Sequence, residues 1–184
     1  MEKVRVGILV GSARKNAFSQ LIADTIMKQL PDEFEVKQVK IDNLIMFNQD
    51  YDDNNETPKE YADFREEVKN CDAYLFVTPE YNRSMPPLLK NALDIASRPA
   101  GQSVWGGKPG AIISVSPGVM GGFGSNNHIR QVLMFLDIRT MQQPERYIGN
   151  ISECVDEHGK LLLATEKFIH TFTDSYVKWV KNFY

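Results

Sequence analysis

Cysteine is scarce: Cys71 and Cys154 are the only two in 184 residues. Two thiols do not make the disulfide framework of a small secreted domain, so a reducing compartment is expected. No apolar run approaches the roughly 20 residues that span a bilayer, which excludes a transmembrane helix and predicts no membrane partner. The opening residues, MEKVRVGILVGS, carry charge and no long apolar stretch, so no secretory signal is expected. An excess of positive charge is also missing. The 21 Lys and Arg stand against 24 Asp and Glu, a net charge of −3, and the cations are scattered. That argues against a nucleic-acid protein, whose affinity rests on neutralising phosphates. The length fits one domain, 1–184, with a core that needs no staples. A cytoplasmic protein is the expectation.

What the chain does have is alternation. VRVGILV (4–10) is a β-branched run and predicts a first strand. From Phe18, apolar residues recur at Leu21, Ile22, Ile26 and Leu30, a helical spacing closed by Pro31. FEVKQVKI (34–41) predicts a second strand, and NQDYDDNNE (48–56) a polar, solvated loop. TPKE (57–60) has the form of a capping box with Thr57 at the cap, opening a helix to about Asn70. AYLFV (73–77) predicts a third strand, and Pro86-Pro87 open the next helix. GAIISV (110–115) predicts a fourth strand, 125–137 a helix, and 139–142 a weak fifth strand. A turn at DEHG (156–159) precedes a last amphipathic helix at about 162–182, whose Phe168, Phe172, Trp179 and Phe183 are assigned mostly to the core. Short apolar strands alternating with helices predict an α/β fold, a doubly wound five-stranded parallel sheet with helices on both faces.

In such a sheet, ligands bind beyond the carboxyl ends of the strands, where the strand order reverses. Three segments follow those ends. GSARKNAFSQ (11–20) offers Gly11 for a tight turn, the hydroxyls of Ser12 and Ser19, the guanidinium of Arg14 and a helix N-terminus. That set suits a phosphate; the plainer alternative is a serine that caps the helix and a solvated arginine. The segment is neither GxxxxGK[ST] nor GxGxxG, which disfavours a dinucleotide site there. The next segment, PEYNRSMPPLLKNALD (79–94), has Pro79 at a bend, Glu80 and Asn82 able to turn backbone groups to a planar polar ligand, and Tyr81 able to stack. The alternative makes Tyr81 a packing residue and Glu80 a partner of Arg83. Asp94 and Lys90 form an i, i+4 surface pair. The last segment, SPGVMGGFGSNN (116–127), combines Ser116 with Gly118, Gly121, Gly122 and Gly124; it is either a close-approach loop or a mobile one. An order of 2-1-3-4-5 sets the first two segments side by side, a phosphate seat next to a stackable site.

On these motifs the chain resembles the NAD(P)H-dependent FMN reductase family, flavodoxin-like in fold, in its quinone- and chromate-reducing branch. The resemblance rests chiefly on Pro79 through Asp94. Gly11-Ser12-Ala13-Arg14, the Ser116-x-Gly118-x-x-Gly121-Gly122 loop and HIRQVLMFLDIRTMQQPE (128–145) support it. It implies that Ser12, Arg14, Ser19 and Gln20 hold the FMN phosphate. It implies that Pro79, Glu80, Tyr81 and Asn82 line the ring, and that Ser116 and Gly118 meet the ring's other edge. It implies NADPH or NADH as co-substrate, a small-molecule electron acceptor (quinone, azo, nitro, chromate or free flavin), ping-pong turnover and a homodimer or homotetramer. Gln20 stands where Asn is usual, and no Trp follows Asp94. No side chain is required as catalyst. Cys71 and Cys154 are assigned as inert, His128 as an ordinary polar residue, and Asp50, Asp52 and Asp53 as solvated rather than metal-binding. The alternative function is a flavodoxin-type electron carrier; a further one is an α/β module that binds no flavin.

Overall fold

In the computed structural model, which describes residues 2–184, the strands are β1 (Val4–Val10), β2 (Phe34–Gln38), β3 (Ala73–Pro79), β4 (Pro109–Val115), β5 (Arg139–Thr140) and β6 (Arg146–Ile148). The helices are α1 (Phe18–Gln29), α2 (Asp50–Asp53), α3 (Lys59–Lys69), α4 (Pro87–Ala96), α5 (Phe123–Phe135) and α6 (Leu163–Lys181). All pairings are parallel and the order is β2-β1-β3-β4-β5, with β6 also on β4. The order reverses between β1 and β3, so their carboxyl ends open side by side.

The central strands are buried along almost their whole length, as a sheet covered on both faces requires. On one face, Val6, Ile8, Leu75 and Ile113 pack under Ile22 and Ile26 of α1 and Phe172 and Tyr176 of α6. On the other, Leu9, Tyr74, Phe76 and Ile112 pack under α3, α4 and α5 through Tyr61, Phe64, Leu93, Ile129 and Leu133. No helix among the described residues is long and apolar enough to cross a membrane.

Several sequence expectations are corrected. The second strand ends at Gln38 rather than residue 41, because the chain leaves the sheet edge to bury Val39 and Ile41. The third runs two residues further, pairing Thr78 with Ser114 and Pro79 with Val115; Pro79 ends a strand and does not make the bend. The fifth strand is two: β5 and β6 pair with opposite ends of β4, and the chain between them detours around Pro144, which has no N–H for a ladder. Phe168 of α6 is 42% exposed and Phe183, just past its end, 38%; the buried stripe of α6 is Ile169, Phe172, Thr173, Tyr176 and Val180.

The acidic loop holds the one-turn helix α2. Asp52 accepts two bonds from the Arg65 guanidinium, at 2.7 and 2.6 Å, and their side chains are 3% and 12% exposed. Arg65 also donates to Ile95 O at 2.9 Å, so one guanidinium joins α2, α3 and α4. Thr57 Oγ1 donates to Asp52 instead of capping α3, whose cap position is Pro58. The bonds from Arg65 hold the Asp52 carboxyl below its ordinary pKa. A lowered folded-state pKa contributes stability above the unfolded value and loses it as pH falls. Asp52→Ala is expected to lose about 3–5 kcal/mol, because it leaves a buried guanidinium unpaired. Urea unfolding should show wild-type stability declining below about pH 4, with a shallower decline in the variant.

Candidate functional site

The site is built where β1, β3 and β4 end. After β1, Gly11 N donates to Val77 O at 2.9 Å, which presses the loop onto β3. A Cβ on Gly11 would stand 3.2 Å from Pro79 Cδ and from Thr78 Oγ1 and 3.3 Å from Pro86 Cγ. The glycine thus serves close packing, not the tight turn expected. Helix α1 then starts from Ala17 with no side-chain cap and no acidic residue in its first turn. Ser19 does not cap it. Its hydroxyl is buried, at 1% exposure, and has no partner in the protein. A buried hydroxyl without a partner costs about 1–3 kcal/mol, at a helix end whose free N–H groups favour an anion.

Ser12, Arg14 and Gln20 line one cleft of about 360 Å³ with Gln38, Lys40 and Asp42; Ser19 is not among its lining residues. Arg14 is exposed, and no carboxylate pairs with it among the described residues. Its amide donates to Ser12 Oγ at 3.3 Å. The Gln20 amide is already engaged: it exchanges bonds with Gln38 at 2.7 and 3.0 Å and donates to Asp24 at 2.9 Å. Gln20 is a wall of the cleft rather than a free donor.

After β3 the chain makes a two-residue hairpin. Tyr81 and Ser84 exchange backbone bonds at 3.0 Å each, and Asn82 and Arg83 between them have φ of 49° and 67°. This mirror-image turn leaves the amides of its two central residues outside the ladder, and an arginine held there carries strain of about 1–2 kcal/mol. Tyr81 is 39% exposed, and its hydroxyl lies 3.5 Å from Ser12 Oγ, joining the first two loops. Sequence reasoning did not find the left-handed pair; Asn82 was the one local hint.

Glu80 anchors this hairpin. Its side chain is 12% exposed, and Oε2 accepts from Ser125 N at 3.1 Å in the first turn of α5. The Arg83 guanidinium is 3.9 Å away, so the pair raised as an alternative is the weaker of the two contacts. Thr78 Oγ1 lies 3.0 Å from Ser125 Oγ, and both are buried.

The glycine loop after β4 is tied to the chain after β6 by backbone bonds. Ser116 N donates to Ile148 O at 3.0 Å, Asn150 N to Gly118 O at 3.2 Å and Ile151 N to Ser116 O at 3.3 Å. Ser116 Oγ donates to Gly118 O at 2.9 Å. Gly121 has φ of 58°, and a Cβ there would fall 2.6 Å from the Tyr147 carbonyl carbon. The wall at 147–151 escaped sequence reasoning, although Gly149 was a visible signal. Loops two and three thus meet through α5, loops one and two through Ser12 and Tyr81. Val119, Met120 and Phe123 stay exposed at the rim.

Residues placed outside this site keep modest roles. Burial pushes the Cys71 thiol up to about 11, which makes it a poor nucleophile. Among the described residues, no group of three or more His, Cys, Asp or Glu is placed to hold a metal ion.

A doubly wound parallel sheet whose strand order reverses where these loops gather defines a flavodoxin-like class. Comparison with known proteins narrows it: residues 4–153 match the NADPH-dependent FMN reductase family, and the chain belongs to that family. It is similar to a quinone reductase of Pseudomonas putida, 46% identical over 176 residues, covering 96% of this chain and 94% of the relative. It is similar to a 2-hydroxy-1,4-benzoquinone reductase of Burkholderia sp., 43% identical over 97% of each chain. The structure of FerB, a flavoenzyme NAD(P)H:(acceptor) oxidoreductase from Paracoccus denitrificans, superposes with a TM-score of 0.88 at 33% identity, covering 97% of each chain. The protein is accordingly an oxidoreductase of a family that uses FMN with NAD(P)H as reductant.

Removing the Glu80 carboxylate tests its place here. Glu80→Ala is expected to cost about 1.5–3 kcal/mol, the scale of a hydrogen bond to a charged group. Arg83→Ala should stay within about 0.5 kcal/mol, as at other exposed positions. Equal losses in urea unfolding would assign Glu80 to the Arg83 pair instead.

Proposed function

We propose that this chain holds FMN by its phosphate at the loop after β1 and by its ring along the Tyr81–Ser84 hairpin. It takes reducing equivalents from NADPH or NADH and delivers them to a small-molecule acceptor, a quinone before azo, nitro, chromate or free-flavin acceptors. The observation that carries this reading is Ser19: a buried hydroxyl without a partner, in the uncapped first turn of α1, just after the loop that carries the unpaired Arg14. That donor set fits a phosphate dianion.

Ser12, Arg14, Ser19 and the α1 amides bind the phosphate, while Gln20 braces the cleft through Gln38. Pro79, Glu80, Tyr81 and Asn82 line the ring, mainly by backbone groups, because the Glu80 carboxylate is committed to α5. Ser116 and Gly118 border the opposite edge. FMN, when bound, supplies the redox chemistry, accepting hydride from the nicotinamide and passing two electrons onward. Both substrates need the one open face above Tyr81, so they take turns, and ping-pong kinetics follow. The quinone preference is supported by what the Pseudomonas and Burkholderia relatives are named for. Family membership favours this enzyme over the electron-carrier alternative. A homodimer or homotetramer is supported by the exposed Met134 and Phe135 on α5, at 76% and 88%, and a reducing cytoplasm by the free thiols.

Riboflavin, which lacks the phosphate, tests the seat. Wild type should bind FMN far more tightly than riboflavin in a fluorescence titration. Arg14→Ala and Ser19→Ala should each weaken FMN by about 10- to 100-fold, the loss of one charge-assisted bond, and leave riboflavin unchanged. Equal weakening of both ligands would remove the phosphate-seat assignment.

A further inference from the structure

One pair of side chains beside the ring-lining hairpin has no role in the account so far. Ser84 closes the hairpin, and its two backbone bonds to Tyr81 fix the main chain from which its hydroxyl projects. That hydroxyl lies 2.9 Å from His128 Nδ1. His128 projects from α5, and both residues line a groove of about 1080 Å³ between α4 and α5. Ser84 is half-buried and His128 exposed. The pair therefore has one end at the flavin-lining turn and the other in water.

The charged groups around it are largely engaged elsewhere. Lys90 and Asp94 of α4 pair with each other at 2.6 Å. Glu80 is bound to Ser125, with Arg83 beside it. Arg98 and Asp137 also line the groove, and Asp137 lies 3.3 Å from Arg139. No carboxylate is paired with His128 among the described residues. The His128 imidazole is thus open to solvent.

Quinone reduction needs such a group. The overall change is quinone plus NAD(P)H plus H⁺ to hydroquinone plus NAD(P)⁺. The nicotinamide supplies both electrons and one hydrogen; the second proton must come from elsewhere. None of the residues assigned to hold FMN has an ordinary pKa near neutrality with its titrating group free.

We propose that His128 and Ser84 relay this second proton to the quinone oxygen. Ser84 gives its hydroxyl proton to that oxygen, so a Ser84 O–H bond breaks as the hydroquinone O–H bond forms. The imidazolium gives its Nδ1 proton to Ser84 Oγ, restoring the hydroxyl and leaving a neutral imidazole, which regains a proton from water. Ser84 touches the substrate; His128 acts through it as proton source and positioning residue. This deepens the reading under Proposed function and rests on it.

The test separates proton delivery from electron delivery. FMN-loaded wild type, His128→Asn, Ser84→Ala and the double variant are reduced anaerobically with one equivalent of NAD(P)H. Each is then mixed in a stopped-flow instrument with benzoquinone, or with ferricyanide, which takes electrons without protons. Each single variant should reoxidise with benzoquinone about 10- to 100-fold more slowly, the low end of general-acid effects. The double variant should be no slower than the slower single variant, since both lie on one path. Reoxidation by ferricyanide should match wild type.

The wild-type benzoquinone rate should fall as pH rises through one pKa, since the acid form is the donor, and the His128→Asn profile should be flat. The His128 pKa measured by NMR titration of the oxidised holoprotein, with no turnover, should equal the kinetic one. Wild-type benzoquinone rates in the variants, an equal slowing with ferricyanide, or a mismatch of the two pKa values would each overturn the relay while leaving the flavin reading standing. A wild-type protein that binds no FMN, or whose flavin NAD(P)H does not reduce, would overturn both.

Discussion

The candidate site depends on one carboxylate. Glu80 leaves β3, turns back, and accepts a hydrogen bond from the first turn of α5. It thereby closes the Tyr81–Ser84 hairpin against the element that follows the glycine loop. A negative group at a helix N-terminus satisfies a free amide and meets the positive end of the helix dipole. The buried Thr78–Ser125 pair lies directly beneath and adds a second tie. The Ser84–His128 bond at 2.9 Å and the close packing of Gly124 against Arg83 hold the outer side of the same junction.

This arrangement separates holding from contacting. Side chains with strong hydrogen-bonding groups (Glu80, Thr78, Ser114, Asn126) are turned inward and spent on fixing the loops. What remains outward is backbone amide, an aromatic face and a few hydroxyls. Such a surface favours the proposed reading, in which the protein positions a cofactor and lets substrates of different shape reach it. At α1 the helix start has no side-chain cap and the buried Ser19 hydroxyl has no partner in the protein, which favours the proposed phosphate seat there. The tie between Asp52 and Arg65 plays a supporting part, holding α2, α3 and α4 in one body and so fixing the helix that the hairpin enters.

Most of the architecture was legible in the sequence because period and burial agree in it. The run 4–10 is rich in β-branched residues and became β1 unchanged; the Phe18–Ile26 spacing became α1. Segment 79–94 pointed to a candidate site because no plain connection needs so many polar and cyclic residues. The readings that failed depend on pairing rather than local pattern. Thr57 looks like a cap, but a buried partner on α2 takes its hydroxyl. The fifth strand looked single because the sequence does not show which ends of β4 its halves meet. The left-handed Asn82–Arg83 pair follows from the Tyr81–Ser84 register, which no spacing rule supplies for an arginine. The wall at 147–151 is built from residues distant in sequence from the loop it supports.

The most direct test of the central claim is the visible spectrum of the purified protein, with FMN supplied, before and after anaerobic addition of NADPH and then NADH. The account predicts a bound-flavin band that at least one of the two bleaches rapidly. A bound flavin that neither reduces would contradict the reductase and restore the carrier reading, and no bound flavin would mean that the turn after β3 holds some other ligand.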